Sequence, residues 1–148
     1  MHKKFVFLSD FSAEEMPYGG GEINDRELLN ILRHRGHEVV ELRTRNLKSN
    51  SLKEHSGSCF IVSNFVFLKR QFIEELKKEK YVIYEHDHKY VTSRNPAVYK
   101  DCKVPSEKII NRDFYKSAIA TFCQTVFHAK VLKGNLALDN VVSLGGNL

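Results

Sequence analysis

Apolar positions along this chain fall either in short unbroken runs or at helical spacing, and the two kinds of segment alternate. Phe5-Val6-Phe7-Leu8 is the first unbroken run, as expected of a strand covered on both faces, and it ends in Ser9-Asp10. Ile23, Leu28, Ile31 and Leu32 then share spacings of three and four, which predicts a helix with those side chains on its inner face. Gly36, behind the basic Arg33, His34 and Arg35, predicts its stop. Glu38 to Leu42 reads as a second strand, so residues 3 to 43 form one strand–helix–strand unit, closed by a parallel crossover. The polar, serine-rich segment from Asn46 to Gly57 reads as a loop or a marginal helix.

Cys59 to Val62 predicts a third strand. Phe65, Leu68, Phe72 and Leu76 follow at helical spacing with a charged face from Glu74 to Lys80, a stripe that reads as core packing. Tyr81 to Tyr84 predicts the fourth strand, which delivers Glu85, His86, Asp87 and His88 at its carboxyl end. Residues 89 to 112, with Pro96 and Pro105 and no periodicity, read as a long surface excursion containing one short helix. A short helix at Phe114 to Lys116, a strand at Ala118 to Cys123, a helix at Val126 to Lys133 and a strand at Val141 to Leu144 complete the series. This alternation predicts an α/β fold: a single Rossmann-like domain over residues 1–148, with a doubly wound, mainly parallel sheet flanked by helices. The chain closes at Gly145-Gly146-Asn147-Leu148, directly after a strand, which reads as a cut through a longer protein.

Composition narrows the class only slightly. With 23 basic and 18 acidic residues the net charge is +5, which favours anionic ligands without choosing among them. No apolar run approaches the ~20 residues of a membrane span, and the opening run is too short for a signal peptide, so a cytoplasmic protein is expected. Cys59, Cys102 and Cys123 are odd in number, far apart and free of any Cys-x-x-Cys pair, which argues against a disulfide framework or a zinc knuckle.

Two segments carry candidate chemistry. Loops at the carboxyl ends of parallel strands converge on one crevice, which predicts that Gly19-Gly20-Gly21-Glu22 and the Glu85–His88 cluster line a common site. The glycines are free to take positive φ and leave the backbone open to a phosphate or sugar at a helix N-terminus. A dinucleotide fingerprint needs a third glycine where Asn24 stands, and no Lys-Ser or Lys-Thr phosphate loop follows, so NAD and P-loop hydrolysis are disfavoured. If the fourth strand continues, His86 and His88 point to one side and Glu85 and Asp87 to the other, so the four do not converge on a metal and none is expected. A metal-dependent hydrolase built on Glu85–His88 is nonetheless one alternative, and a non-catalytic module with a basic surface is another. Asp10 either orients a ligand or caps its loop. His34, His37, His55 and His128 read as surface residues, and no Gly-x-Ser-x-Gly nucleophile motif occurs.

Several phrases, in order, resemble the N-terminal half of a GT-B glycosyltransferase of the family 4-like (group 1) type. They are the first strand followed by Gly19-Gly20-Gly21-Glu22, the phrase Arg35-Gly36-His37-Glu38-Val39, the strand end Tyr84-Glu85-His86-Asp87-His88, and Ala120-Thr121-Phe122-Cys123-Gln124-Thr125. The resemblance covers nearly the whole chain and implies half of a two-domain architecture, with the acceptor held here and most of the nucleotide-sugar donor held by a C-terminal domain that this chain lacks. It implies that Gly20 and Gly21 approach the donor diphosphate or acceptor and that His86 faces the transferred sugar, with Glu85, Asp87 and His88 beside it. The implied partners are a nucleotide-sugar, as co-substrate rather than cofactor, and a glycan or lipid acceptor with peripheral membrane contact, and no nucleic acid. The family's paired glutamates, seven residues apart, belong to the missing domain; Glu14 and Glu22 share that spacing by coincidence.

Overall fold

Strand Lys4–Ser9 (β1) buries Val6, Phe7 and Leu8 without a break, and this continuous run places it between two neighbours. A computed structural model describes residues 1–12 and 19–145, so Glu14 and the last three residues lie outside the described part. The fold is α/β and Rossmann-like. The chain forms two compact units, Met1–Tyr81 and Val82–Leu148, and each is described by itself.

In the first unit β1 pairs in parallel with Glu38–Arg43 (β2) on one side and with Cys59–Val62 (β3) on the other, in the order β2-β1-β3. The chain therefore leaves β1 in one direction to form β2 and crosses back over β1 to form β3. Helix Gly20–His34 (α1) makes the first crossover and Arg70–Leu76 (α2) follows β3. The end of α1 explains the Arg35-Gly36-His37 phrase physically. Gly36 has φ +83°, its N–H donates to the Arg33 carbonyl at 2.9 Å and the His37 N–H donates to the Leu32 carbonyl at 3.1 Å, the two bonds of a Schellman stop.

Two expectations are corrected here. The inner face of α1 is built on Asp25 and Leu29, while Ile23 and Ile31 are 43% and 50% exposed. Apolar spacing missed this because a carboxylate occupies a core position: Asp25 is buried and accepts the Ser63 hydroxyl at 2.8 Å on both oxygens. The aromatic stripe is core as expected, but Phe65 and Leu68 lie in the turn before α2 rather than in a helix.

Asp10 closes the carboxyl end of this unit. Its buried carboxylate accepts the backbone N–H of Val66 at 2.8 Å, the N–H of Phe67 at 3.2 Å and the Thr44 hydroxyl, so it joins the loops that follow β1, β2 and β3. Capping is thus the role it fills.

The second unit holds strands β4 (Lys80–Glu85, which begins in the first unit), β5 (Thr121–Cys123) and β6 (Val141–Ser143), paired in parallel in that order. Arg112–Ser117 (α3) precedes β5 and Val126–Leu136 (α4) joins it to β6. The segment after β4 is largely exposed, as expected, but it is anchored at a few buried points. Tyr90 and Val91 are fully buried, Val91 bridges Ile109 antiparallel, and Asn135 of α4 donates to the Cys102 carbonyl and accepts the Val104 N–H. Instead of one helix it contains three short 3-10 turns, at Pro96–Val98, Lys100–Cys102 and Ser106–Lys108.

Replacing Asp10 with Ala leaves two backbone donors and a hydroxyl unsatisfied in a dry position, and the expected cost is about 3 kcal/mol of unfolding free energy, against about 1 for Thr44→Val. Urea denaturation followed by circular dichroism measures both; an unchanged midpoint for Asp10→Ala contradicts the capping role.

Candidate functional site

β4 ends at Glu85, and the chain then bends through His86 and Asp87 into a turn at Lys89 and Tyr90. Glu85, Asp87 and Lys89 meet here. The Lys89 ammonium donates to Glu85 Oε1 and to Asp87 Oδ1, each at 2.5 Å, with Glu85 fully buried and Lys89 nearly so. Tyr115 of α3 donates its hydroxyl to the other Glu85 oxygen. Burial opposes the Lys89 charge, but Glu85 and Asp87 outweigh it and hold the ammonium pKa above its ordinary value. Burial also pushes the Glu85 carboxyl up, against the pull of Lys89 and the Tyr115 hydrogen bond.

His86 and His88 have separate partners. His88 stacks on His128 of α4, ring centroids 4.1 Å apart, and its Nδ1 lies 2.8 Å from the Tyr90 hydroxyl. His128 Nε2–H donates to the Asp87 carbonyl at 3.0 Å, while the His128 backbone N–H is capped by the Thr125 hydroxyl at 3.1 Å. Burial, then the neighbouring His128, lowers the His88 pKa to about 4, and burial lowers that of His128 too. His86 packs edge-on against Tyr84, centroids 4.5 Å apart, and its Nδ1 lies 3.5 Å from the Gln124 amide nitrogen in the β5–α4 turn.

His128 is therefore a correction: it belongs to this cluster and not to the surface. Among the described residues no three His, Cys, Asp or Glu side chains are arranged to hold a metal. A metal at Glu85 would have to displace both Lys89 and Tyr115. Cys123, buried at the end of β5, has its thiol pushed up to about 12 by burial, which removes it as a nucleophile at neutral pH.

The glycine segment lies in the first unit, at the start of α1. Gly19 is the N-cap, with φ −96° and ψ 142°, and Gly20 opens the helix, so neither uses the positive φ that the glycines allow. A Cβ at Gly19 would overlap the Glu22 carboxylate, which folds back over the cap; nothing described stands within 4 Å of a Cβ at Gly20. Gly19 has no side chain with which to cap this end, and the Glu22 carboxylate lies over it, where it meets the partial positive charge of the first N–H groups of α1.

Lys89, Tyr115 and His128 escaped the sequence reading. The Glu-x-Asp-x-Lys register from 85 to 89 is a signal for Lys89, and Thr125-x-x-His128 after a strand is one for His128; Tyr115 has none. Comparison with models of known protein families and with curated proteins finds no match to this chain.

Lys89→Met strands the Glu85 charge in a dry site and is expected to cost about 3–5 kcal/mol, with much of it recovered when Glu85→Gln is added. Paired urea titrations test this, and a double variant no more stable than the single contradicts it. The stacked imidazoles fold neutral, so the unfolded chain binds more protons, and their contribution to stability falls as pH drops from about 6.5 toward 4. Midpoints measured across that window should fall, and His88→Phe should flatten the descent.

Proposed function

We propose that this chain is the acceptor-side domain of a GT-B glycosyltransferase that moves a hexose from a nucleotide-sugar to a hydroxyl acceptor, a glycan or lipid. The observation that carries the reading is the position of His86. It stands half-buried at the carboxyl end of β4 beside Gln124, on a loop held from beneath by the Glu85–Lys89–Tyr115 network. Open parallel sheets bind ligands at that end.

Sugar transfer develops positive charge at the anomeric carbon and negative charge on the departing diphosphate. A helix N-terminus such as that of α1 suits a phosphate once the Glu22 carboxylate moves off it. An imidazole suits the sugar, since it hydrogen-bonds hydroxyls and carries a proton near neutral pH. Glu85, Asp87 and His88 then act as positioning residues, because their polar groups are engaged within the protein. The donor's nucleotide would be bound mainly by a second Rossmann-like domain. Three free thiols fit a cytoplasmic setting, and no described helix is long and apolar enough to cross a membrane.

The geometry disfavours a metal-dependent hydrolase on Glu85–His88, since the carboxylate already meets an ammonium and a phenol and the two imidazoles point to different partners. Ligand-observed NMR with a panel of nucleotide-sugars and free sugars tests the transferase reading. The expected result is weak saturation transfer that falls about tenfold in affinity for His86→Ala, the size of one or two lost hydrogen bonds. Transfer to none of the panel, or binding indifferent to His86, overturns it.

A further inference from the structure

The second unit holds a recess that the transferase reading does not use. It lies between residues 101–104 of the long connection and the part of α4 from Phe127 to Asn135, and its volume is about 630 Å³, within the range of small-molecule sites. Asn135 builds its wall: the side-chain amide accepts the Val104 N–H at 2.9 Å and donates to the Cys102 carbonyl at 2.9 Å, while Arg112 donates to the Leu136 carbonyl at 2.6 Å. These bonds fix the connection to the helix, so the recess is preformed. Gly134 keeps it open. Glycine is a poor helix former, and nothing described stands within 4 Å of a Cβ at this position, so packing inside the protein does not call for the missing side chain. What its absence provides is room in the recess.

We infer that this recess binds a small aromatic acid. Its lining has an apolar part and a charged part. Phe127, 68% exposed, stands with Val131 and Val104 and offers a ring face to a flat apolar body. Lys103 comes from the connection and Lys130 from the helix, and neither makes an ion pair among the described residues, so both ammonium groups are available to a carboxylate. The remaining charge is Asp101. Two lysines against one carboxylate leave a single net positive charge, which matches a monoanion; the further charge of a diphosphate would be repelled by Asp101. Asp101 and Cys102 are consecutive non-glycine residues in the left-handed region, φ 54° and 55°, a backbone retained only where the surroundings fix it and one that recurs at ligand clamps. The recess shares no residue with His86, Gln124 or the start of α1, and the inference stands whether or not the domain transfers sugar.

Cinnamate serves as the probe, with cinnamyl alcohol as its uncharged counterpart, and proton–nitrogen correlation NMR of the whole chain reads the binding. Millimolar cinnamate should shift the amides of residues 101–104 and 127–135 and leave that of His86 in place. The alcohol on the unaltered chain, and cinnamate on Lys130→Gln, should each bind about fivefold more weakly, the size of one exposed charge contact. Gly134→Leu should abolish the shifts by filling the recess, and because leucine is the better helix former its urea midpoint should be no lower than that of the unaltered chain. Uridine diphosphate should not displace cinnamate. No shift at these residues, equal binding of the alcohol, undiminished binding by either variant, or displacement by uridine diphosphate overturns the inference.

Discussion

The ion pair between Glu85 and Lys89, sealed from water at the end of β4, is the constraint on which the second unit depends. A carboxylate in that position is tolerated only with its lone pairs filled, and three elements supply the means: β4 brings Glu85, the chain beyond it brings Lys89, and α3 brings Tyr115. Such a pair adds little net stability over an apolar core, but losing one partner is costly. Its effect is geometric. It turns the residues after β4 inward, so that Tyr90 and Val91 reach the core and the long connection closes through the Val91–Ile109 bridge.

The first unit solves the same problem with hydrogen bonds alone. Asp10 accepts from two backbone N–H groups and one hydroxyl, and Asp25 accepts from Ser63, so both carboxylates tie elements together across the end of a parallel sheet. Strand ends in such sheets leave backbone donors without ladder partners, and a short acidic side chain is the simplest group that meets several of them. Residue types that suggest catalysis on paper are here largely structural. Outside these networks stand His86 with Gln124 in one unit and the stack of Arg45 on Phe67 and Phe11 in the other.

The histidines divide by neighbourhood rather than by type. His37 lies against Phe5 and accepts the Lys3 N–H, so its ring is part of the packing around the α1–β2 turn. His88 and His128 stack in a dry niche that favours their neutral forms. His86, one residue from the buried carboxylate, is half-buried beside Tyr84 and Gln124.

Local pattern by itself determined the order and type of the six strands and of the main helices, because an unbroken apolar run and a helical stripe each bury themselves in only one way. It also determined the stop at Gly36, since a positive φ after a basic last turn is a local requirement. Strand alternation predicted Glu85 and Asp87 on one side and the histidines on the other, whereas the chain bends at His86 and Asp87. Only the tertiary structure decided that Asp25, not Ile23 or Ile31, faces the core, that Lys89 to Val91 are buried, and that His128 meets His88. Each of those buried groups has a partner distant in sequence, Ser63 for Asp25, Tyr115 for Glu85 and the Asp87 carbonyl for His128, which offsets the cost of taking it out of water.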